Sequence, residues 1–310
     1  MQLLRHTPVF DVESATRIAE KLFGLHATAR ALASERDQNF LLEAADERFV
    51  LKIANRIESP ALLEAQNVVL EHLEIRISFS PRVVANLKGE VISREAEHYV
   101  RVVTYLPGRP LAETTPHSSA LLQDLGSKLG QLDRGMSDFD HPAVHRDFHW
   151  DLANGNRVVD EYGEFVEDAS LRDVVRECRF EVKTDLRRSV IHGDANDYNV
   201  LVDDDYVVGV IDFGDMVHSW TVGNLAVALA YVVLGKEDPR AAAAHVIDGY
   251  TKEFSLLANE REALWPLVRL RLAMSVCLAA HQLRQRPENE YLRISQKAIV
   301  ETLPRLFEHG

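Results

Sequence analysis

Residues 190–215 read VIHGDANDYNVLVDDDYVVGVIDFGD, and this segment carries the strongest structural signal in the chain. Two apolar runs, 200–202 and 206–211, flank a short acidic turn, and this pattern predicts a β-hairpin. The strands of a hairpin are antiparallel, so the residue that enters the first strand lies near the residue that leaves the second. We therefore expect Asn199 and Asp212 to meet at one end of the hairpin.

A third oxygen-bearing side chain precedes the hairpin. Asp194 lies five residues before Asn199, in the loop that leads to the same end. Hard oxygen donors suit Mg²⁺, which proteins usually hold with one or two carboxylates plus substrate phosphates. The order His-x-Asp, four residues, Asn, then Asp-Phe-Gly matches the division of labour in kinases, where a carboxylate takes the hydroxyl proton while Asn and Asp hold metal. The alternative, an acidic turn with ordinary capping residues, accounts for less of this composite pattern.

Kinase chemistry also needs a cation on the phosphates. Lys52 is the single charge in the apolar strand-like run 49–53, and an unpaired buried ammonium is unfavourable, so it needs a partner or a ligand. Glu64, on a helix predicted from 60 to about 74, is a candidate partner, although other acids lie nearby. A solvent-facing position on an edge strand is the alternative interpretation of Lys52.

The remaining sequence predicts an α+β chain in two parts. The first part, 1–106, combines short β-like segments with helices at 13–24 and 60–74. The second part, 107–310, opens at Pro107-Gly108-Arg109-Pro110 and is mostly helical. The predicted strands are 28–33, 38–44, 48–54, 81–86 and 98–106, and the later helices are 117–135, 168–179, 221–235, 239–255, 260–283 and 288–308.

Composition excludes several classes of protein. The 310 residues carry 35 Lys and Arg against 48 Asp and Glu, a net charge of −13, which disfavours nucleic-acid binding and suits a cationic small substrate. Cys178 and Cys277 are too few for a disulfide framework or a Cys-based zinc site. The start has no apolar signal region, and the longest apolar run, 225–234, is too short to span a bilayer, so we expect a cytoplasmic protein with no membrane partner.

A second kinase-like triplet is a decoy. His145-Arg146-Asp147 spells the catalytic triplet of protein kinases, but Asn154 follows after seven residues instead of five and no Asp-Phe-Gly comes after it at a suitable distance. The aromatic segment 148–152 could be a helix or loop near the substrate cleft, but an aromatic packing cluster is the favoured interpretation. Within it Trp150 and Asp151, together with Asp215, are candidates for the acceptor site, because acids and an aromatic face can hold an ammonium group.

These motifs resemble a known family. Residues 192–199 and 211–215 are similar to the aminoglycoside phosphotransferase and choline kinase family of small-molecule kinases. Four further stretches resemble its hydroxylysine-kinase-like branch: 34–39, 51–53, 105–108 and 148–152. That branch occurs alone or as the leading domain of fusions with an aminotransferase-like domain. The resemblance covers nearly the whole chain and implies a bilobal, protein-kinase-like fold with a small strand-rich N-lobe and a larger helical C-lobe.

The resemblance also implies roles for the residues singled out above. Asp194 would be the catalytic base, and Asn199 and Asp212 would be the Mg²⁺ ligands. Lys52 would contact the α- and β-phosphates and pair with Glu64. The nucleotide would occupy the cleft between the lobes.

Two segments complete the implied nucleotide site, and one position departs from the family pattern. Thr104-Tyr105-Leu106 would be the hinge that holds the purine through backbone hydrogen bonds. The loop at 34–37 has no glycine, yet its backbone and the Ser34 hydroxyl could contact phosphate, with an ordinary polar turn as the alternative. Relatives often carry an acid where this chain has Asn224, which puts any hydrogen bond expected from that acid in doubt.

The expected reaction is Mg²⁺-dependent transfer of the γ-phosphoryl group of ATP or GTP to the hydroxyl of an amino alcohol or a hydroxylated amino acid such as hydroxylysine. The partners would be the nucleoside triphosphate and a small cationic substrate, with an aminotransferase-like enzyme fused or encoded nearby. Aminoglycoside, homoserine, choline or ethanolamine are alternative acceptors on the same fold. A nucleotide-binding module of a fusion protein, without turnover, is the alternative from another class.

Overall fold

The computed structural model describes residues 7–34, 37–183, 185–285, 287–288 and 293–307. Contacts divide the chain into two compact units, Met1–Pro107 and Gly108–Gly310. The first unit is built on an antiparallel sheet and the second is mainly helical, which confirms the predicted α+β class.

The first unit is a sheet with one helix on each face. Helix α1 (Val12–Ile18) begins at Asp11, whose carboxylate accepts a 2.7 Å hydrogen bond from the Ser14 N–H. The strands follow the order β1-β2-β3-β6-β4, all antiparallel, with β5 also paired to β6. The further elements are β1 (Thr28–Leu32), β2 (Gln38–Glu43), β3 (Arg48–Ile53), α2 (Pro60–Glu74), β4 (Val83–Val84), β5 (Ser93–Glu95) and β6 (His98–Thr104).

The two faces of strand β3 have different neighbours. Phe49, Leu51 and Ile53 are buried in a core that also holds α1. Lys52 points to the other face, because alternate residues of a strand face opposite ways. Its partner across the ladder is Arg101, whose buried guanidinium binds amide side chains of α2. Lys52 therefore lies on the face of the sheet that α2 covers.

The second unit surrounds the predicted hairpin with helices. Strands β9 (Val200–Asp203) and β10 (Tyr206–Val210) pair antiparallel with Val200 opposite Val210, as the sequence predicts. Strands β8 (Arg188–Ile191) and β11 (Val217–Trp220) form a second antiparallel pair, and β7 (Arg109–Pro110) pairs with β9. The helices are α3 (Ser119–Met136), α4 (Gly155–Tyr162), α5 (Ala169–Glu177), α6 (Val222–Val232), α7 (Pro239–Glu253), α8 (Ala258–Gln285) and α9 (Gln296–Thr302).

Helices α3 and α7 pack with their backbones in close contact. A Cβ atom added at Gly126 would lie 1.9 Å from the Val246 carbonyl oxygen, and one at Gly249 would lie 1.9 Å from the Gln123 carbonyl oxygen. Only glycine allows this approach. The contact brings polar residues of both helices into one buried layer behind the hairpin.

Helix α8 forms the centre of the second unit's core. Within the described part of the chain it is the one helix that is long and apolar enough to cross a membrane by length and composition. This apolar helix is longer than the uninterrupted apolar run 225–234 considered above. Most of its apolar window, 78%, is buried inside the unit, as in the core helix of a globular protein. One charged residue in its buried middle, Arg271, reaches the candidate site.

Candidate active site

The His-Gly-Asp turn is braced by its own histidine. The Nε2 atom of His192 donates to the Ile211 carbonyl oxygen at 3.0 Å, so its Nδ1 atom accepts from the Asp194 N–H at 3.2 Å. The ring is fully buried and meets Phe213 edge-on at 4.7 Å. Burial lowers the pKa of His192 and keeps the ring neutral. His192 thus ties the turn to the end of β10, where Asp212 lies.

Both oxygens of the Asp194 carboxylate are held in place. Its Oδ2 atom accepts from the side-chain amides of Asn199 at 2.8 Å and Asn196 at 3.1 Å. Its Oδ1 atom accepts from Arg271 at 2.8 Å, and 20% of the Asp194 side chain remains exposed. Burial raises the pKa of Asp194 to about 7, and the Arg271 guanidinium opposes that rise. A fixed and partly accessible carboxylate of this kind can act as a general base.

The structure brings Asn199 next to the start of the Asp-Phe-Gly segment. The Ile211 N–H donates to the Asn199 carbonyl oxygen at 2.9 Å, which places Asp212 directly beyond the hairpin end. The Asn199 amide nitrogen donates to Asp194, so the Asn199 Oδ1 atom is the part left to face a cation. Asp212 adopts the left-handed conformation, with φ 64 and ψ 75, which non-glycine residues rarely do and which is common at functional sites.

This pair of side chains fits Mg²⁺ in the chemistry of its donors. An amide oxygen from Asn199 and a carboxylate from Asp212 are both hard ligands. Within the described residues, no group of three or more His, Cys, Asp or Glu could hold a metal ion. A cation here would therefore complete its shell with water or with phosphate oxygens from a nucleotide.

The three candidate acceptor residues line one small pocket beside the turn. Trp150, Asp151, Asp215 and Gly193 contribute to it, and both carboxylates are only 8% exposed. Asp151 accepts hydrogen bonds from the Ser219 hydroxyl and, at 3.0 Å, from the Ala153 N–H. The other lining residues are apolar apart from a glycine: Phe148, Leu152, Ile191, Val217, Gly223 and Val227. The enclosed space is about that of one water molecule, so the two acids and the indole lie close together without enclosing an acceptor in this structure.

Asn224 makes a hydrogen bond that the sequence put in doubt. Its Oδ1 atom accepts from the Gly193 N–H at 3.2 Å, and its amide nitrogen donates to Asp133 at 2.6 Å. The Tyr250 hydroxyl donates to the other oxygen of Asp133 at 2.6 Å. The Asp133 carboxylate on α3 thus lies directly behind Asn224, joined to it by a hydrogen bond.

Comparison with known proteins agrees with this geometry. The family model described as phosphotransferase enzyme family matches residues 28–266, more than half of the chain. The chain belongs to this family. Hydroxylysine kinase from Mus musculus is 33% identical over 343 residues, covering 98% of this chain and 91% of that protein. Homoserine kinase from Zymomonas mobilis is 26% identical over 246 residues, covering 75% of this chain and 74% of that protein.

The fold comparison gives the same result. A solved structure of amicoumacin kinase hAmiN, in complex with AMP-PNP, Ca²⁺ and Ami, superposes with a TM-score of 0.73 at 15% sequence identity. It covers 96% of this chain and 94% of its own. These comparisons confirm the predicted family, the protein-kinase-like fold and a phosphotransferase with an alcohol group as acceptor.

In the first unit of this phosphotransferase, Lys52 is half-buried and Glu64 is exposed on α2. Two buried side chains of α2, the amides Gln66 and Asn67, bind Arg101 of the sheet. The pairing of Lys52 with Glu64 stays a prediction.

The predicted hinge offers fewer free amides than its three residues suggest. The Thr104 N–H donates to the Arg82 carbonyl oxygen at 2.9 Å, and the Tyr105 N–H donates to the Arg48 carbonyl oxygen at 3.0 Å. Leu106 lies beyond the end of β6, and contact between this segment and a purine stays a prediction.

The predicted phosphate loop is described only in part. Ser34 is exposed, and its hydroxyl accepts from Asn39 at 3.3 Å. Glu35 and Arg36, in the same loop, lie outside the described residues. Contact between this loop and phosphate stays a prediction.

The decoy triplet lies at the surface. The Asp147 carboxylate is bound by Arg157 and is 69% exposed. His145 bonds Asp140 at 2.7 Å and stacks on His218, with ring centroids 4.4 Å apart. Asp147 has the environment of a surface ion pair, unlike the enclosed carboxylate of Asp194.

Proposed function

We propose that this phosphotransferase transfers the γ-phosphoryl group of ATP to the hydroxyl of a hydroxylated amino acid of the hydroxylysine type. The observation that carries the proposal is the Asp194 carboxylate, held on both oxygens beside a pocket that contains two further carboxylates. The similarity to hydroxylysine kinase over 98% of the chain supports this acceptor class. The AMP-PNP bound to amicoumacin kinase supports ATP as the donor.

In the proposed mechanism, Asp194 accepts a hydrogen bond from the acceptor hydroxyl and takes its proton as the phosphoryl group transfers. Asp151 and Asp215 would hold an ammonium group of the acceptor, with Trp150 as an aromatic wall. The acceptor would thus be oriented before reaction, which is the larger part of catalysis in phosphoryl transfer.

The proposed nucleotide is ATP. Lys52 would contact its phosphates, and the backbone of Thr104-Tyr105-Leu106 would contact its purine, with Leu106 as the donor. The Asn199 Oδ1 atom and the Asp212 carboxylate would hold Mg²⁺, which neutralises charge on the phosphates when it is bound. We place the protein in the cytoplasm, with an aminotransferase-like enzyme as a fused or neighbouring partner.

Homoserine is a second candidate acceptor, favoured by the similarity to homoserine kinase over 75% of the chain. It carries one ammonium group, whereas hydroxylysine carries two. The similarity to hydroxylysine kinase is greater, at 33% identity over 98% of the chain against 26% over 75%, and it favours hydroxylysine.

ADP release measured with a panel of acceptors tests the proposal. Turnover is expected with hydroxylysine and absent with lysine, which has the same charges and no hydroxyl. Homoserine, 1-amino-2-propanol, choline and an aminoglycoside complete the panel. If no hydroxylated compound gave more ADP than the enzyme alone, while nucleotide still bound, the non-catalytic alternative would replace the proposal.

The matched pair Asp194→Ala and Asp147→Ala tests the base. Asp194→Ala is expected to abolish turnover while ADP still binds, and Asp147→Ala, which removes the exposed acid of the decoy triplet, is expected to keep turnover. Survival of turnover in Asp194→Ala would show that the base is assigned to the wrong residue.

A further inference from the structure

A buried cation lies behind the proposed base. Arg271 sits in the apolar middle of α8, and its side chain is only 3% exposed. A buried guanidinium is unfavourable unless its charge and its donors are compensated. The compensating groups are therefore a guide to what the residue does.

Arg271 divides its donors between two parts of the site. One nitrogen donates to the Asp194 Oδ1 atom at 2.8 Å, and the other donates to the Trp150 carbonyl oxygen at 3.2 Å. The guanidinium also lies over the Trp150 ring, 4.5 Å from its centroid. Arg–carboxylate pairs frequently form two parallel hydrogen bonds to one carboxylate. Arg271 instead joins the base to a wall of the acceptor pocket.

We propose that Arg271 is a positioning residue that fixes the Asp194 carboxylate relative to the acceptor pocket through its bond to Trp150. This inference rests on the proposed function. The Asn199 and Asn196 amides hold only the Oδ2 side of the carboxylate, so without Arg271 its Oδ1 side loses its partner. A catalytic group displaced by about 1 Å can lose about 10²-fold in rate.

Arg271→Ala tests the proposal, with Arg269→Ala as the matched control on the same helix. Arg269 lies over the Phe307 ring, 4.3 Å from its centroid, so its loss removes a similar side chain away from Asp194. We expect kcat to fall about 10²-fold in Arg271→Ala, the acceptor KM to rise, and ADP affinity to stay unchanged. Arg269→Ala is expected to keep wild-type kcat.

Two readouts separate positioning from folding. Guanidinium added at concentrations too low to unfold the protein is expected to restore part of the turnover of Arg271→Ala. Arg271→Lys keeps the charge, but one ammonium cannot span both acceptors in the guanidinium geometry, so its kcat is also expected to fall. Equal losses in Arg271→Ala and Arg269→Ala, or wild-type kcat in Arg271→Lys, would overturn the proposal.

A stability cycle keeps the inference testable even if the acceptor is assigned wrongly. Arg271→Met leaves the buried Asp194 carboxylate without its cation, and adding Asp194→Asn is expected to recover part of the lost unfolding midpoint. Additive midpoints would show that the two side chains do not act as a pair. Coupling in the cycle without turnover on any acceptor would refute the proposed function and leave the Arg271–Asp194 pairing intact.

Discussion

The buried Asp133 carboxylate is expected to make the stability of the protein depend on pH, and Asp133→Asn is expected to remove that dependence. Asp133 is 2% exposed and accepts one hydrogen bond from Asn224 and one from Tyr250. Burial raises its pKa from the ordinary value of 3.8 to about 7, against the opposing effect of those two hydrogen bonds.

Because the pKa of Asp133 is raised in the folded state, the protein is expected to lose stability as the pH rises. A pKa that is higher in the folded state means that the folded protein binds this proton more tightly than the unfolded chain does. The contribution to stability is therefore complete below about pH 4, decreases as the pH rises, and is lost above about pH 7. At about 1.4 kcal/mol for each unit of pKa, a shift from 3.8 to about 7 corresponds to roughly 4 kcal/mol.

Asparagine at this position imitates the protonated acid. Its oxygen can accept from Asn224, and its amide can donate to the Tyr250 oxygen, as a protonated carboxyl would. The charged groups that act on Asp133 from neighbouring elements, Arg187 and Glu260, are unchanged in the variant. Asp194 and His192 also titrate, but they do so in both proteins, so the difference between the two isolates Asp133.

Urea unfolding of both proteins between pH 5 and pH 8 measures the effect. The stability of Asp133→Asn relative to wild type is expected to rise by about 1.4 kcal/mol per pH unit up to pH 7 and then to level off. Two stability curves that run parallel over this range would show that the pKa of Asp133 is not raised in the fold.

Three further predictions concern the layer behind the turn, the helix packing and the metal. Asn224→Asp sets a second carboxylate against Asp133 and is expected to lower the free energy of unfolding by about 3 kcal/mol. The double variant Asn224→Asp with Asp133→Asn is expected to recover most of that loss in a urea-unfolding cycle, and additive effects of the two substitutions would contradict this. Gly126→Ala is expected to lower the free energy of unfolding by about 2 kcal/mol or more, because its Cβ atom would meet a backbone carbonyl oxygen at 1.9 Å. Gly163→Ala, whose Cβ atom would have nothing within 4 Å, is expected to be neutral, and similar thermal midpoints for the two variants would refute the packing argument. Asp212→Asn is expected to raise the Mg²⁺ concentration for half-maximal turnover about tenfold or more with the acceptor KM unchanged, and an unaltered Mg²⁺ titration would remove Asp212 from the ligand set.

The parts of the fold that the sequence predicts well are local. The β9–β10 hairpin follows from two apolar runs around an acidic turn, and its antiparallel pairing brings Asn199 next to the Asp-Phe-Gly segment. The strand β5 (Ser93–Glu95) was not predicted because three residues with two charges carry no strand pattern; it forms because the adjoining turn returns the chain onto β6.

The position of Glu64 shows what the residue pattern of a helix can and cannot predict about its contacts with a sheet. The acids of α2 are candidates for Lys52 because a helix lies next to the strand in sequence. The structure turns Gln66 and Asn67 toward the sheet, where the buried Arg101 takes up their oxygens, and leaves Glu64 exposed. Which helix face meets the sheet depends on a partner 35 residues further along the chain, and periodicity within α2 does not contain that information.

Arg271 and Asp133 were missed for a related reason. Arg271 is 77 residues from Asp194, and Asp133 is 91 residues from Asn224. Each is a charged residue on an otherwise apolar helix face, which signals a buried partner and does not say which partner. That signal was available in the sequence of α8, where two arginines interrupt a long apolar stretch.

The His-Gly-Asp motif is explained by the different partner that each of its residues has. His192 bonds the end of β10, the Gly193 N–H bonds Asn224 on α6, and Asp194 bonds Arg271 on α8. Gly193 has φ 77, and a Cβ there would lie 2.9 Å from the Asp215 carbonyl oxygen, so glycine is required. Three anchors from three elements leave the turn little freedom to shift, because moving one residue breaks a bond to a different part of the core. Asp194, the proposed base, is therefore located by the packing of helices that are distant from it in sequence.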